Sequence, residues 1–120
     1  MQKIGLSLLM LGLLATAGAP AWVALNAQAA ANNTVDVPIK LFQFTPNKIT
    51  IKKSTTVIWV NQDAIDHSVT SGPPKKADGV FDSGFFKKDG RYQRRFDQFG
   101  TFAYFCRRHP SMIGVVEVVE

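Results

Sequence analysis

The stretch Cys106-Arg107-Arg108-His109-Pro110-Ser111-Met112 constrains this 120-residue chain more than any other. It lies between two runs with strand character, Thr101 to Cys106 and Gly114 to Val119, and it is too short to hold a helix. A strand, a tight loop and a returning strand bring a thiol, an imidazole and a thioether together from one loop. Cys106 is the only cysteine, so no internal disulfide can form, and a small core must be held by other means.

The rest of the chain agrees with an all-β fold. Val35, Val37 and Ile39 alternate with other residues, Ile49 and Ile51 do likewise, Val57 to Val60 is a continuous apolar run around Trp59, and Tyr92 to Phe96 reads as a further strand. Turn-forming clusters separate these runs: Thr45-Pro46-Asn47, Lys53-Ser54, Ser71-Gly72-Pro73-Pro74, Asp89-Gly90 and Phe99-Gly100. Many short strands with regular turns predict a sandwich or barrel. The irregular segment from Ser71 to Lys88 is expected to be a long connection with a short strand or turn inside it.

The N-terminus has the three parts of a secretory leader: a positive start at Lys3, an apolar run from Ile4 to Leu14, and small residues through Ala27-Gln28-Ala29. Residues 1–29 are therefore read as a signal peptide cleaved near Ala29 to Ala31, and residues 30–120 as a single periplasmic or exported domain. An uncleaved membrane anchor is the alternative; Gly18 and Pro20 interrupt the apolarity that a span of about 20 residues requires. No twin-arginine pair precedes the apolar run, so any metal is expected to be acquired after export. In an oxidising compartment a lone thiol is a liability unless something occupies its sulfur.

The formal charge is +5, and Lys3 is the only charged residue of the leader. A basic surface suits solubility or steering toward an acidic partner. Nucleic acid is not expected, because the Lys and Arg residues are dispersed among strand-like segments of an exported chain. The domain is expected to be monomeric.

Cys106, His109 and Met112 are soft or borderline ligands, and copper is the metal that tolerates such a mixture, commonly with two histidines, a cysteine and a weak axial methionine. The second histidine must be His67, in Asp66-His67-Ser68-Val69, because the chain has no other. Competing uses fail on counting. Covalent haem attachment needs two cysteines, and structural zinc prefers four Cys or His ligands where the chain offers three. A Cys–His nucleophile would lack an orienting third group and room for a cleft.

On these residues the chain resembles the blue copper proteins, or cupredoxins, over nearly all of the presumed mature part. The matching stretches are Phe42-Gln43-Phe44-Thr45-Pro46-Asn47-Lys48-Ile49, Thr56-Val57-Ile58-Trp59-Val60-Asn61, Asp66-His67-Ser68-Val69-Thr70, Phe81-Asp82-Ser83-Gly84 and Gly100-Thr101-Phe102-Ala103-Tyr104-Phe105-Cys106. Two residues separate Cys106 from His109 and two separate His109 from Met112, which is similar to the short ligand loop of amicyanin.

The resemblance implies a cupredoxin-like Greek-key β-sandwich of about seven to eight strands. It implies one copper ion cycling between Cu(II) and Cu(I), with His67, Cys106 and His109 as near-trigonal strong ligands and Met112 as the long axial one. It implies an electron carrier, not an enzyme, serving redox partner proteins such as a dehydrogenase, a cytochrome c or an oxidase. Electrons would pass at an exposed His109 edge ringed by Pro110, Met112 and Pro46. Two positions depart from the family's pattern. Arg108, beside Arg107, stands where a proline is common, and a basic rim facing an acidic partner is the expected result. Ser68 stands where an asparagine usually ties the ligand loops, and its hydroxyl is expected to replace that tie only in part. A periplasmic copper carrier is the alternative function; such carriers favour Met-rich and His-rich sites, and only Met112 lies outside the leader.

Overall fold

The computed structural model describes residues 33–120, and the proposed leader lies outside the described residues. Eight strands run in chain order: β1 (Thr34–Lys40), β2 (Gln43–Phe44), β3 (Lys48–Lys52), β4 (Thr55–Asn61), β5 (Thr70–Ser71), β6 (Arg91–Phe96), β7 (Gly100–Phe105) and β8 (Ile113–Val119). They form two four-stranded sheets, ordered β2-β1-β4-β6 and β3-β8-β7-β5. β1 pairs parallel with β4, and β3 parallel with β8. Each such pair obliges the chain to cross to the other sheet in between, as the expected sandwich requires.

The period-2 alternation decides which faces meet. Val37 and Ile39 on β1, Ile49 and Ile51 on β3, and Val116 and Val118 on β8 enter the core. The apolar run on β4 is buried on one face only: Val57 and Trp59 point inward, while Ile58 and Val60 are half-buried on the outer face. Trp59 joins the two sheets. Its indole stacks on Tyr92 at 5.6 Å and 25°, and meets Tyr104 of β7 edge-on at 5.4 Å. Loss of a buried aromatic of this size costs about 3–5 kcal/mol.

Strand directions gather three loops at one end. The register Phe105↔Ile113 makes residues 106–112 the β7–β8 hairpin loop. The parallel register Ile39↔Asn61 puts the β1–β2 turn at Leu41–Phe42 beside the loop that follows β4. The long connection after β5 carries no named strand until β6. It is held by isolated bridges, Thr70 to Asp82 and His67 to Phe86, and by Ser71, whose hydroxyl donates to the Asp78 carboxylate. The expectation of an irregular connection over Ser71 to Lys88 agrees with this course.

Candidate metal centre

His67 is positioned by its own main chain, which exchanges two hydrogen bonds with Phe86, N–H to O at 3.3 and 2.9 Å. Its ring is fully buried, with Nε2 2.9 Å from Asp63 Oδ2. A carboxylate only accepts, so Nε2 carries the proton and Nδ1 is left with a free lone pair. That Nδ1 lies 3.7 Å from Cys106 Sγ. Cys106 directly follows β7 and is fully buried; the Ser68 N–H points at its sulfur from 3.5 Å.

His109 sits at the hairpin tip, half-buried, with Nδ1 3.9 Å from the same sulfur. The three donor atoms of His67, Cys106 and His109 all lie within 4.8 Å of one another. Met112, on the same loop, is 3% exposed, and its main chain closes the loop: Cys106 N–H donates to Met112 O at 3.1 Å and Met112 N–H to His109 O at 2.8 Å. The sequence-predicted residues are thus brought to one place from two loops.

Burial holds the His109 imidazole below its usual pKa, helped by the neighbouring His67 ring and the Arg108 guanidinium and opposed by Asp63. A neutral ring keeps a lone pair free for a metal. Burial pushes the Asp63 carboxyl up, but the amides of Phe42 and Leu41 and the His67 ring outweigh it and hold the group below its ordinary value. Two imidazole nitrogens around a buried thiol, with a thioether on the same loop, form a donor set that suits copper better than a harder cation.

Residues 31–119 match the family described as copper binding proteins, plastocyanin/azurin family. The chain belongs to this family. Amicyanin of Paracoccus versutus is 33% identical over 86 residues, which cover 72% of this chain and just under two thirds, 65%, of that protein. Amicyanin-alpha of Methylorubrum extorquens is 31% identical over 106 residues, 87% of each chain. The solved structure of a reduced amicyanin variant is similar with a TM-score of 0.66 at 27% identity, covering 74% of this chain and 85% of that one. The cupredoxin sandwich of about seven to eight strands and the copper cofactor expected from the sequence agree with these findings and with the eight strands observed.

Against that family background, the two departures have definite structures. Ser68 Oγ accepts the Arg107 N–H at 2.9 Å and shares a hydrogen bond with Thr70 Oγ1 at 3.0 Å, so the hydroxyl supplies one tie between the ligand loops. Arg107 reaches Asp82 Oδ2 at 2.6 Å, and the Arg108 guanidinium lies over the Phe85 ring at 5.2 Å. Both arginines hold the hairpin loop against the 82–85 segment.

The apolar rim differs from the expectation. Met112 turns inward and is not part of it. Phe42, 46% exposed, takes that place: its ring meets His109 edge-on at 5.0 Å. Phe42, Pro46 and Ile113 line one depression beside Met112. Sequence reasoning missed Asp63, Leu41 and Phe42. The available signal was the exposed pair Leu41-Phe42 directly after the β1 alternation, together with an acidic residue four positions before His67.

Proposed function

We propose that the chain is a small exported type 1 copper protein that carries single electrons between redox partners, with His67, Cys106, His109 and Met112 as the residues that would hold the copper. The observation that carries this reading is the convergence of the His67, Cys106 and His109 donor atoms within 4.8 Å, in a chain of a copper-binding family. Copper bound there would supply the Cu(II)/Cu(I) couple.

The protein's part is to hold the ligands still. His67 is fixed by Asp63 and by its bridge to Phe86, and the hairpin loop is closed by its own main-chain hydrogen bonds. Ligands so held move little between oxidation states, which keeps electron transfer fast. The Ser68 N–H directed at Cys106 Sγ withdraws charge from the sulfur and tunes the couple. His109 is the less buried of the two histidines, and the apolar depression of Phe42, Pro46 and Ile113, joined to it through the Phe42 ring, suits brief contact with a redox protein such as a dehydrogenase, a cytochrome c or an oxidase. The positive charge of Arg108 beside it favours an acidic partner surface.

The test adds one equivalent of Cu(II) to the purified protein and to a Cys106→Ser variant, and records visible absorption and electron paramagnetic resonance. Intense blue absorption with small copper hyperfine splitting, lost in the variant, is expected. Pale copper with ordinary splitting, unchanged in the variant, would overturn the reading.

A further inference from the structure

Asp63 makes more contacts than a residue that only orients a histidine needs. Its Oδ1 accepts the Leu41 N–H at 2.8 Å, while Oδ2 accepts the Phe42 N–H at 2.9 Å and faces His67 Nε2 at 2.9 Å. Asn61 fixes Asp63 in turn. Its Oδ1 accepts the Asp63 N–H at 2.9 Å, and its Nδ2 donates to the carbonyls of Ile65 at 2.8 Å and Phe86 at 3.0 Å. Phe86 is the residue bridged to His67, so Asn61, Asp63, Phe86 and His67 form one closed network.

The amides that Asp63 accepts belong to a strained turn. Leu41 and Phe42 have φ values of 54° and 58°, and a left-handed conformation costs a non-glycine residue about 1–2 kcal/mol. Leu41 is also 75% exposed, so its side-chain burial contributes little to holding the turn. The carboxylate offsets this strain through charge-assisted hydrogen bonds to both amides. The conformation so held sets the Phe42 ring edge-on to His67 at 5.6 Å and to His109 at 5.0 Å.

We propose that Asp63 is a positioning residue that couples the exposed face to the metal: one carboxylate fixes the His67 ring with Nδ1 toward Cys106 and holds the Leu41–Phe42 turn as an apolar cover over both imidazoles. The proposal rests on the copper reading for its metal-side consequence and on the hydrogen-bond network for the rest. A partner pressing on the turn therefore acts on the same group that orients a ligand.

The test is Asp63→Asn in the purified exported protein. Oδ2 serves both Phe42 and His67, so the amide nitrogen, which cannot accept, costs either the Leu41 hydrogen bond or the Phe42 and His67 hydrogen bonds together. Hydrogen exchange at the Leu41 and Phe42 amides of the metal-free protein is expected to quicken at least tenfold. Cu(II) affinity, measured by competition with a chelator, is expected to fall about 10–100-fold, and the reduction potential to shift positive as a negative charge leaves the neighbourhood of the copper. Faster exchange at the Phe42 amide, which shares its acceptor oxygen with His67, with unchanged affinity and potential would overturn the coupling, and unchanged exchange at both amides would overturn the network. If the wild-type protein forms no blue centre but exchange still quickens, the copper reading fails while the Asp63 network stands. Should Asp63→Asn not fold, Asp63→Glu keeps the charge, displaces it by one methylene, and is read by the same measurements.

Discussion

The two histidines of the centre are held in opposite ways. His67 is fully buried, its main chain locked to Phe86 and its outer nitrogen bound to a carboxylate. His109 is half-buried on a hairpin tip, and among the described residues its ring touches the Cys106 sulfur, Phe42 and His67 without a hydrogen bond from its second nitrogen to a protein group. The difference follows from the chain's course. His67 comes from a connection wedged between the ends of the two sheets, where unpaired polar atoms must be satisfied, and His109 comes from a loop that water can reach. In the proposed electron carrier, one imidazole would preserve geometry and the other would offer an edge to a partner.

Replacing each histidine by glycine is the strongest way to break this comparison. His67→Gly leaves the largely buried Asp63 carboxylate, 12% exposed, without its imidazole donor, and is expected to cost about 1–3 kcal/mol, the range for losing a hydrogen bond to a charged group. Its blue absorption should be lost and should not return on adding free imidazole. His109→Gly opens a gap at the surface, costs under about 1 kcal/mol as a substitution outside the core, and should regain blue absorption when imidazole enters from solvent. Copper titrations with and without imidazole, together with thermal melting, measure both. Equal rescue of the two variants would show that the burial difference has no consequence for the metal.

Much of the frame behind this contrast was legible in the sequence, and the reasons are particular. Val37 and Ile39, Ile49 and Ile51, and Val116 and Val118 announced their strands because a half-buried strand repeats every second residue. The Cys106-to-Met112 loop was legible because its ends are strands and the chain has few residues able to bind a soft metal. Asp63 was not, because it acts by accepting main-chain amides from a turn more than twenty positions away, and nothing in local composition marks such an acceptor. Phe42 was missed for a related reason. A left-handed φ at a bulky residue contradicts local preference, and the distant Asp63 carboxylate helps to sustain it. The resemblance put Met112 on the rim, whereas closure of the loop through Cys106 turns it inward.

Gly114 tests whether the looser histidine still depends on the core. A methyl group at this position would lie 2.2 Å from Tyr104 Cζ and 2.4 Å from its hydroxyl. Tyr104 cannot retreat easily: it is 1% exposed, packs edge-on against Phe44 at 4.7 Å, and burial pushes its phenol pKa up to about 12. Gly114→Ala is therefore expected to cost about 1–3 kcal/mol, read as a fall of several degrees in melting temperature. Gly114 follows Met112 by two residues while His67 lies on another loop, so the copper spectrum should change through the Met112 side with hydrogen exchange near His67 unaltered. A spectrum identical to wild type would mean that the hairpin loop is insulated from the strand that carries it.

The smallest effect is expected where the hairpin loop meets the 82–85 segment. Arg107 and Asp82 are 48% and 36% exposed, and an ion pair so hydrated contributes about 0.5 kcal/mol, so Arg107→Ala should move the urea midpoint at neutral pH only slightly. The acid limb is more sensitive. Burial raises the Asp82 carboxyl, but the Gly84 amide, the Thr70 hydroxyl and Arg107 together bring it below the reference value of 3.8. A carboxyl depressed in the folded state contributes stability that is fully present above its unfolded value and is lost as pH falls through the folded one. Removing Arg107 should shift that loss upward toward pH 3.8, visible as earlier acid unfolding by circular dichroism. If the acid limb stays in place, Gly84 and Thr70 hold Asp82 without help, and the His109 loop is anchored by the Ser68 hydroxyl, the Arg108–Phe85 contact and its own main-chain closure. The contrast with His67 would then be sharper, because the exposed ligand would ride on a loop that no ionic contact restrains.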